Sequence, residues 1–83
     1  MKATLKLYAT LADYLPPGSR SNQTEIEVAA DEPIAAVLDR FRLPGKLVHL
    51  VLVNGVYVEP GERPIRCLKE GDHLAIWPPI AGG

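Results

Sequence analysis

The sequence predicts a small α+β domain in which one helix packs on a mixed β-sheet. One amphipathic stretch lies in the middle of the chain, short stretches of alternating apolar and polar residues flank it, and 83 residues suffice for one domain. Hydrophobic residues make up 47% of the chain and charged residues 23%, as in globular proteins that form their own core. We therefore expect one hydrophobic core between the sheet and the helix.

The helix is predicted from Asp31 to Phe41. Asp31 is a candidate N-cap, and Pro33 suits the first helical turn. The apolar side chains that follow recur with the spacing i, i+3, i+4 and i+7, as Ile34, Val37, Leu38 and Phe41. Pro44 and Gly45 then end the pattern, so we expect one short amphipathic helix.

Five strands are predicted from alternation and from turn residues. They cover Lys2 to Tyr8, Thr24 to Val28, Leu47 to Val53, Val56 to Val58 and His73 to Trp77. A helical turn at Thr10 to Leu15 follows the first strand. The third stretch is nearly continuously apolar, which predicts a central strand covered on both faces, and Asn54-Gly55 predicts a tight type I′ turn after it. This order of elements is that of a ubiquitin-like β-grasp domain.

Composition argues against several classes of function. The formal net charge is −1 and no cluster of Lys and Arg occurs, so nucleic acid is not an expected partner. One cysteine cannot form an internal disulfide, and no signal-type segment or apolar span of membrane length is present. We expect a cytoplasmic protein without a membrane partner. The small interior leaves little room for catalysis within the chain itself.

The C-terminus is the most informative segment. Gly82 and Gly83 end the sequence, and their lack of Cβ atoms lets them pass through a narrow channel. Pro78 and Pro79 fix φ and favour an extended path, so residues 78–83 reach about 20 Å. The sequence therefore predicts a folded domain over residues 1–77 and a flexible tail over residues 78–83 that presents a terminal carboxylate.

Three segments carry a resemblance to a known family. Val53-Asn54-Gly55, Leu68-Lys69-Glu70-Gly71-Asp72 and Trp77-Pro78-Pro79-Ile80-Ala81-Gly82-Gly83 resemble the MoaD/ThiS family of ubiquitin-like sulfur carriers, most of all the small subunit of molybdopterin synthase. The last seven residues are the specific part of the likeness. The chain departs from the family in having Trp77 where phenylalanine is frequent and in having a shorter helix.

The resemblance implies a role as a protein cosubstrate. An adenylating enzyme of the ubiquitin-activating type would activate the Gly83 carboxylate with ATP, and a sulfur donor protein would convert it to a thiocarboxylate. Gly82 would give clearance, while Ala81, Ile80, Pro79 and Pro78 would thread the tail into the partner. The large subunit of molybdopterin synthase would accept the sulfur. The chain has no phosphate-cradling glycine loop, so no cofactor is expected on it and ATP would bind the activating partner.

Trp77 has two interpretations. By alternation it shares a sheet face with His73 and Ala75, opposite Leu74 and Ile76, which makes it a candidate aromatic anchor for partners. The alternative is a tryptophan that covers the edge of the sheet.

The remaining reactive side chains are expected to be structural. Cys67 is predicted to pack rather than to carry sulfur, because Arg66 is the sole feature near it in the sequence that could activate the thiol. His49 and His73 lack neighbours at metal-ligand spacing, so no metal is expected. Glu70 and Asp72 belong to a solvated turn and do not indicate acid–base catalysis.

Three alternative functions remain open at this stage. The carrier could serve another product, such as the thiazole of thiamine, a thiolated tRNA base or an amino acid. The chain could instead be a protein modifier joined through Gly83 to lysines of its targets. It could also be an interaction domain whose tail is inert.

Overall fold

The computed structural model describes residues 1–79, which form a mixed sheet and one α-helix. The elements in chain order are β1 (Lys2–Leu7), β2 (Gln23–Glu27), α1 (Ile34–Arg40), β3 (Leu50–Val53), β4 (Val56–Tyr57) and β5 (His73–Trp77). Short 3-10 turns cover Ala9–Tyr14, Gly45–Leu47 and Pro60–Glu62. No helix in the described part of the chain is long and apolar enough to cross a bilayer.

The last strand occupies the centre of the sheet. The strand order is β2-β1-β5-β3-β4, with β1 and β5 parallel and the other neighbours antiparallel. Leu5 of β1 is paired in register with Leu74, and Val51 of β3 with Ile76. With α1 packed on one face, this is the predicted ubiquitin-like β-grasp arrangement.

The hydrophobic core lies between one face of the sheet and α1. The buried apolar residues are Ala3, Leu5, Leu7, Leu11, Ile26, Val28, Ile34, Val37, Leu38, Leu43, Val51, Val53, Val58, Leu68, Leu74 and Ile76. Each large side chain buried in this way contributes about 1.5–3 kcal/mol relative to exposure, so this layer supplies most of the favourable free energy of folding. Within residues 1–79, no helix covers the opposite face of the sheet, where His73 and Trp77 are exposed.

The predicted N-cap of the helix is wrong by two residues. Asp31 is not the N-cap: the helix begins at Ile34, the cap position is Pro33, and no side chain caps it. The N–H groups of Ile34 and Ala35 instead donate to the carbonyls of Arg66 and Arg63, at 2.8 and 2.9 Å. Carbonyl groups of a distant loop thus accept the hydrogen bonds from helix N–H groups that an N-cap side chain usually accepts. The sequence next to the helix cannot reveal this.

The apolar run from Leu47 to Val53 is also not a strand covered on both faces. The strand starts at Leu50, after the 3-10 turn at Gly45–Leu47, and burial alternates along it. Val51 and Val53 are buried, whereas Leu50 is 37% exposed. Leu47 and Val48 pack against the rim of the core, so the run divides into a rim segment and a half-buried strand. β3 does lie inside the sheet, between β4 and β5.

The tight turn at Asn54-Gly55 is confirmed and tied to a second turn. Asn54 and Gly55 have φ values of 51° and 84°. The Asn54 amide donates to Asp72 Oδ1 at 2.9 Å, and its Oδ1 accepts the N–H of His73 at 2.9 Å. Asp72 Oδ2 also accepts the N–H of Lys69 at 2.8 Å. These bonds hold the β3–β4 turn against the start of β5.

Asp72 makes the fold sensitive to acid. Partial burial acts to raise its pKa, but the hydrogen bonds from Lys69 and Asn54 lower the pKa below its ordinary value. Since a depressed pKa stabilises the folded state above the unfolded pKa, this contribution is lost as pH falls below about 4. Asp72→Ala should cost about 1–2 kcal/mol at pH 7 in urea unfolding, and the difference from the wild type should shrink towards pH 2. Asp31→Ala, at an exposed carboxylate, is the control and should change little.

The end of α1 offers a test of backbone strain. Leu43 N–H donates to Leu38 O and Arg42 N–H to Asp39 O, the two bonds of a Schellman motif, and Arg42 occupies its left-handed position with φ 57°. Arg42→Gly should raise the free energy of unfolding by about 0.5–1 kcal/mol, because glycine adopts this conformation without a Cβ clash. Arg42→Ala retains the Cβ atom and should give no gain. An equal gain from both variants would mean that side-chain charge, not backbone strain, is responsible.

Candidate functional site

The point at which the chain leaves the sheet is fixed on both sides. Tyr8 N–H donates to the carbonyl of Ile76 at 3.1 Å, and His49 N–H donates to the carbonyl of Trp77 at 3.0 Å. β5 is therefore hydrogen-bonded up to its last residue. Beyond β5, Pro78 is half-buried and Pro79 is exposed.

The predicted tail residues divide at this point. Pro78 and Pro79 belong to the described structure and lead away from β5. Ile80, Ala81, Gly82 and Gly83 lie outside the described residues, so their threading and sulfur-carrying roles stay predictions. The structure therefore shows only where the chain leaves β5.

Trp77 lies beside this exit and stacks on Tyr8. The two ring centroids are 3.7 Å apart and the planes differ by 3°. Trp77 is still 38% exposed, and it shares the open sheet face with His73 and Ala75, as alternation predicts. The indole thus combines a rigid position with accessible apolar surface, which is what an interface anchor requires.

Trp77 is part of a larger apolar surface. Register places Leu50 next to Trp77, and Leu52 between Ala75 and Tyr57. Leu50, Tyr57 and Trp77 are 37%, 47% and 38% exposed. We call the continuous surface that these side chains form with Tyr8 the apolar half of the open sheet face. It begins where the tail begins.

Sequence reasoning missed most of this surface. Leu50 and Leu52 sit in an all-apolar strand, so alternation cannot show which residues face solvent. Alternation places Tyr8 on the same face as Thr4 and Lys6 of the first strand, but nothing in the sequence links Tyr8 to Trp77. The only available signal was the parallel pairing of the first and last strands in a β-grasp fold, which sets these two aromatic residues side by side.

The other reactive side chains lie away from this surface or apart from one another. Cys67 is half-buried, and its backbone forms an isolated β-bridge with Pro33. His49 and His73 are both exposed. Among residues 1–79, no group of three or more His, Cys, Asp or Glu side chains has the geometry to hold a metal ion.

The stacked pair can be tested by a double-mutant cycle. Aromatic pairs contribute about 0.5–1.5 kcal/mol beyond burial, and the nearly parallel arrangement favours the lower part of that range. Tyr8→Leu and Trp77→Leu, singly and together, should give a coupling free energy of about 0.5–1 kcal/mol in urea unfolding. Tyr57→Leu, on the same face but outside the stack, should show no coupling to Trp77→Leu. A coupling of zero for both pairs would mean that the stack does not hold Trp77 in place.

The comparisons with known proteins agree on one type of protein. Residues 5–83 match the model of the ThiS family. The crystal structure of SAMP1 from Haloferax volcanii is similar over 100% of both chains, at 26% identity and a TM-score of 0.69. The solution structure of the Haloferax volcanii HVO 2177 protein is similar over 100% of this chain and 87% of that one, at 26% identity and a TM-score of 0.71.

A second crystal structure, of H. volcanii small archaeal modifier protein 1, covers 95% of this chain and 98% of its own, at 25% identity and a TM-score of 0.62. No curated protein sequence gives a significant match.

Proposed function

We propose that this chain, which belongs to the ThiS family over residues 5–83, is a sulfur carrier whose Gly83 carboxylate is adenylated and converted to a thiocarboxylate. The observation that carries the proposal is the family match, because it spans both the β-grasp domain and the diglycine end. The exit of β5 at Trp77 supports it, since a rigid domain there leads directly into the reactive segment.

The chemistry accounts for the need for a partner enzyme. A carboxylate is a poor electrophile at neutral pH. Attack of the Gly83 carboxylate on the α-phosphate of ATP would release pyrophosphate and form an acyl-adenylate with a good leaving group. A persulfide on a donor protein would then displace AMP and form an acyl persulfide with Gly83. A second thiol would attack the donor sulfur of the S–S bond, form a disulfide with it and release the Gly83 thiocarboxylate. The product retains sulfur at the end of a tail that reaches about 20 Å from the domain.

The geometry supports separate roles for the domain, which would dock on the partner, and for the tail, which would enter the partner's channel. Hydrogen bonds from Tyr8 and His49 fix the last residues of β5. Because the domain cannot shift relative to this exit, docking of the domain would set the position of the tail inside the partner's channel. The apolar half of the open sheet face lies next to the exit and offers the surface for docking, with Trp77 as its anchor.

We assign the sulfur to the molybdopterin pathway, with the large subunit of molybdopterin synthase as acceptor. Diglycine is common to such carriers, so an acceptor distinguishes them by the domain and by the residues just before the end. Here those are Trp77, Pro78, Pro79, Ile80 and Ala81, a stiff apolar segment suited to a dry, narrow channel.

Mass spectrometry provides the primary test. Protein purified from cells that supply sulfur should contain a fraction in which sulfur replaces one oxygen at Gly83, seen in the intact mass and in the C-terminal peptide. Deletion of Gly82 and Gly83 should abolish adenylation and leave the thermal midpoint nearly unchanged. Sulfur on Cys67 in place of Gly83 would contradict the carrier mechanism. A large loss of stability on deletion would show that the tail packs on its own domain.

The choice of acceptor has a separate test. The thiocarboxylated protein should transfer sulfur to the cyclic pterin precursor when mixed with the large subunit of molybdopterin synthase, and far more slowly to the substrate of a thiazole synthase. Transfer rates with both acceptors distinguish the products. Faster thiazole formation would overturn the molybdopterin assignment and leave the carrier role intact.

A second candidate function is protein modification. Two of the similar structures are of SAMP1, and one of them is named a small archaeal modifier protein. Such a role would use the same adenylate, with the amine of a target lysine in place of sulfur as the nucleophile. Isopeptide-linked adducts that contain the Gly83 carbonyl, found by peptide mass spectrometry of cell extracts, would identify it.

A further inference from the structure

The open sheet face has a charged half beside its apolar half, and the acids of that charged half already have partners. On β2, Glu25 lies 3.4 Å from the ammonium of Lys2, and Glu27 lies 2.8 Å from the N-terminal ammonium. The pKa of Glu27 is lowered by its hydrogen bond to that ammonium and by the positive charge itself. Each carboxylate on β2 therefore already has a cation of its own chain beside it.

Lys6 is the exception on this face. It is paired in register with Gln23 on one side and Ala75 on the other, so neither cross-strand neighbour carries charge. It takes part in none of the ion pairs formed within residues 1–79. Lys6 is half-buried and lies two residues from Tyr8 along β1, on the border of the apolar half.

This position makes Lys6 sensitive to what docks there. A partner that covers Trp77 and Ala75 also covers much of Lys6 and strips water from its ammonium. An ammonium that is buried at an interface without a partner lowers the binding affinity several-fold to many-fold. A carboxylate placed opposite the ammonium recovers that loss. Lys6 therefore favours partners that place a carboxylate opposite it over partners that cover the same apolar surface without one.

We propose that Lys6 is a specificity-determining contact for the adenylating enzyme, which presents a carboxylate beside an apolar patch that covers Trp77 and Leu50. This inference rests on the proposed function, because the enzyme is the partner that must recognise the domain before the tail can react. The apolar half supplies contact area, and the single cation fixes orientation.

Two other occupants fit the face less well. A second copy of the chain offers Glu25 and Glu27, which are already paired with cations of their own protomer. A nucleic acid backbone needs several cations along a stripe. The β1 cations on this face are Lys2, which is already paired with Glu25, and Lys6, which borders the exposed apolar residues.

Carrier-dependent ATP–pyrophosphate exchange tests the proposal, with the adenylating enzyme that activates the wild-type chain. Lys6→Glu should raise the KM for the carrier about tenfold with kcat within about twofold, and Lys6→Met should raise it about threefold. Lys6→Arg should stay near the wild type. Lys69→Glu makes the same change in net charge in the turn before β5 and should leave KM within about twofold. The thermal midpoint of each variant confirms folding.

Salt dependence gives an independent readout. Between 50 and 300 mM NaCl, the KM of the wild type should rise about threefold, and that of Lys6→Met should rise less. Equal effects of Lys6→Glu and Lys69→Glu, or a lower KM for Lys6→Met, would overturn the proposal. A wild-type dimer that Lys6→Glu dissociates in sedimentation would assign the face to a second copy instead. If the wild-type chain supports no exchange at all, the proposed function fails and not the Lys6 contact alone.

Discussion

The parallel pairing of β1 with β5 is the interaction on which the rest of the structure depends. It joins the two ends of the sequence, with Thr4 opposite His73 and Leu7 opposite Ile76. Without it the sheet separates into a two-stranded unit, β2–β1, and a three-stranded unit, β5–β3–β4. An isolated two-stranded unit is marginally stable in water. The same pairing completes the core through Leu74 and brings Tyr8 to Trp77. Folding and the candidate site therefore depend on one set of contacts.

The elements predicted correctly are those that depend on residues close together in the sequence. Alternation located β1, β2 and β5, and Asn54-Gly55 located the tight turn, because both patterns arise from backbone geometry within a few residues. The predictions were wrong where contacts with residues distant in the sequence determine the bounds of an element. The carbonyls of Arg63 and Arg66 cap α1, so Asp31 is not needed as an N-cap. Leu47 and Val48 pack against the rim of the core and do not belong to β3. Neither effect leaves a mark in the sequence next to the element it changes.

The candidate site likewise has one part that depends on neighbouring residues and one part that depends on contacts between distant strands. The diglycine could be singled out in the sequence because the chemistry proposed for it needs only Gly82, Gly83 and the prolines before them. The proposed docking surface could not, because its side chains come from β3, β4, β5 and the residue after β1, and they meet only through register. Leu50 and Leu52 illustrate the difficulty: a strand that is apolar on both faces gives no sign of which face is open. Trp77 was found because it belongs to both parts, as the last strand residue and the first residue before the tail.

The central position of β5 also determines how the domain would respond to mechanical force. A pull on the tail acts on Trp77 along the strand axis, and β5 is bonded to β1 on one side and β3 on the other. Such a load must break the hydrogen bonds of both pairings together, in shear, whereas an edge strand such as β4 can peel away one bond at a time. Resistance to extraction is a rate property set by the unfolding barrier. The domain can therefore transmit tension from its C-terminus while it stays folded.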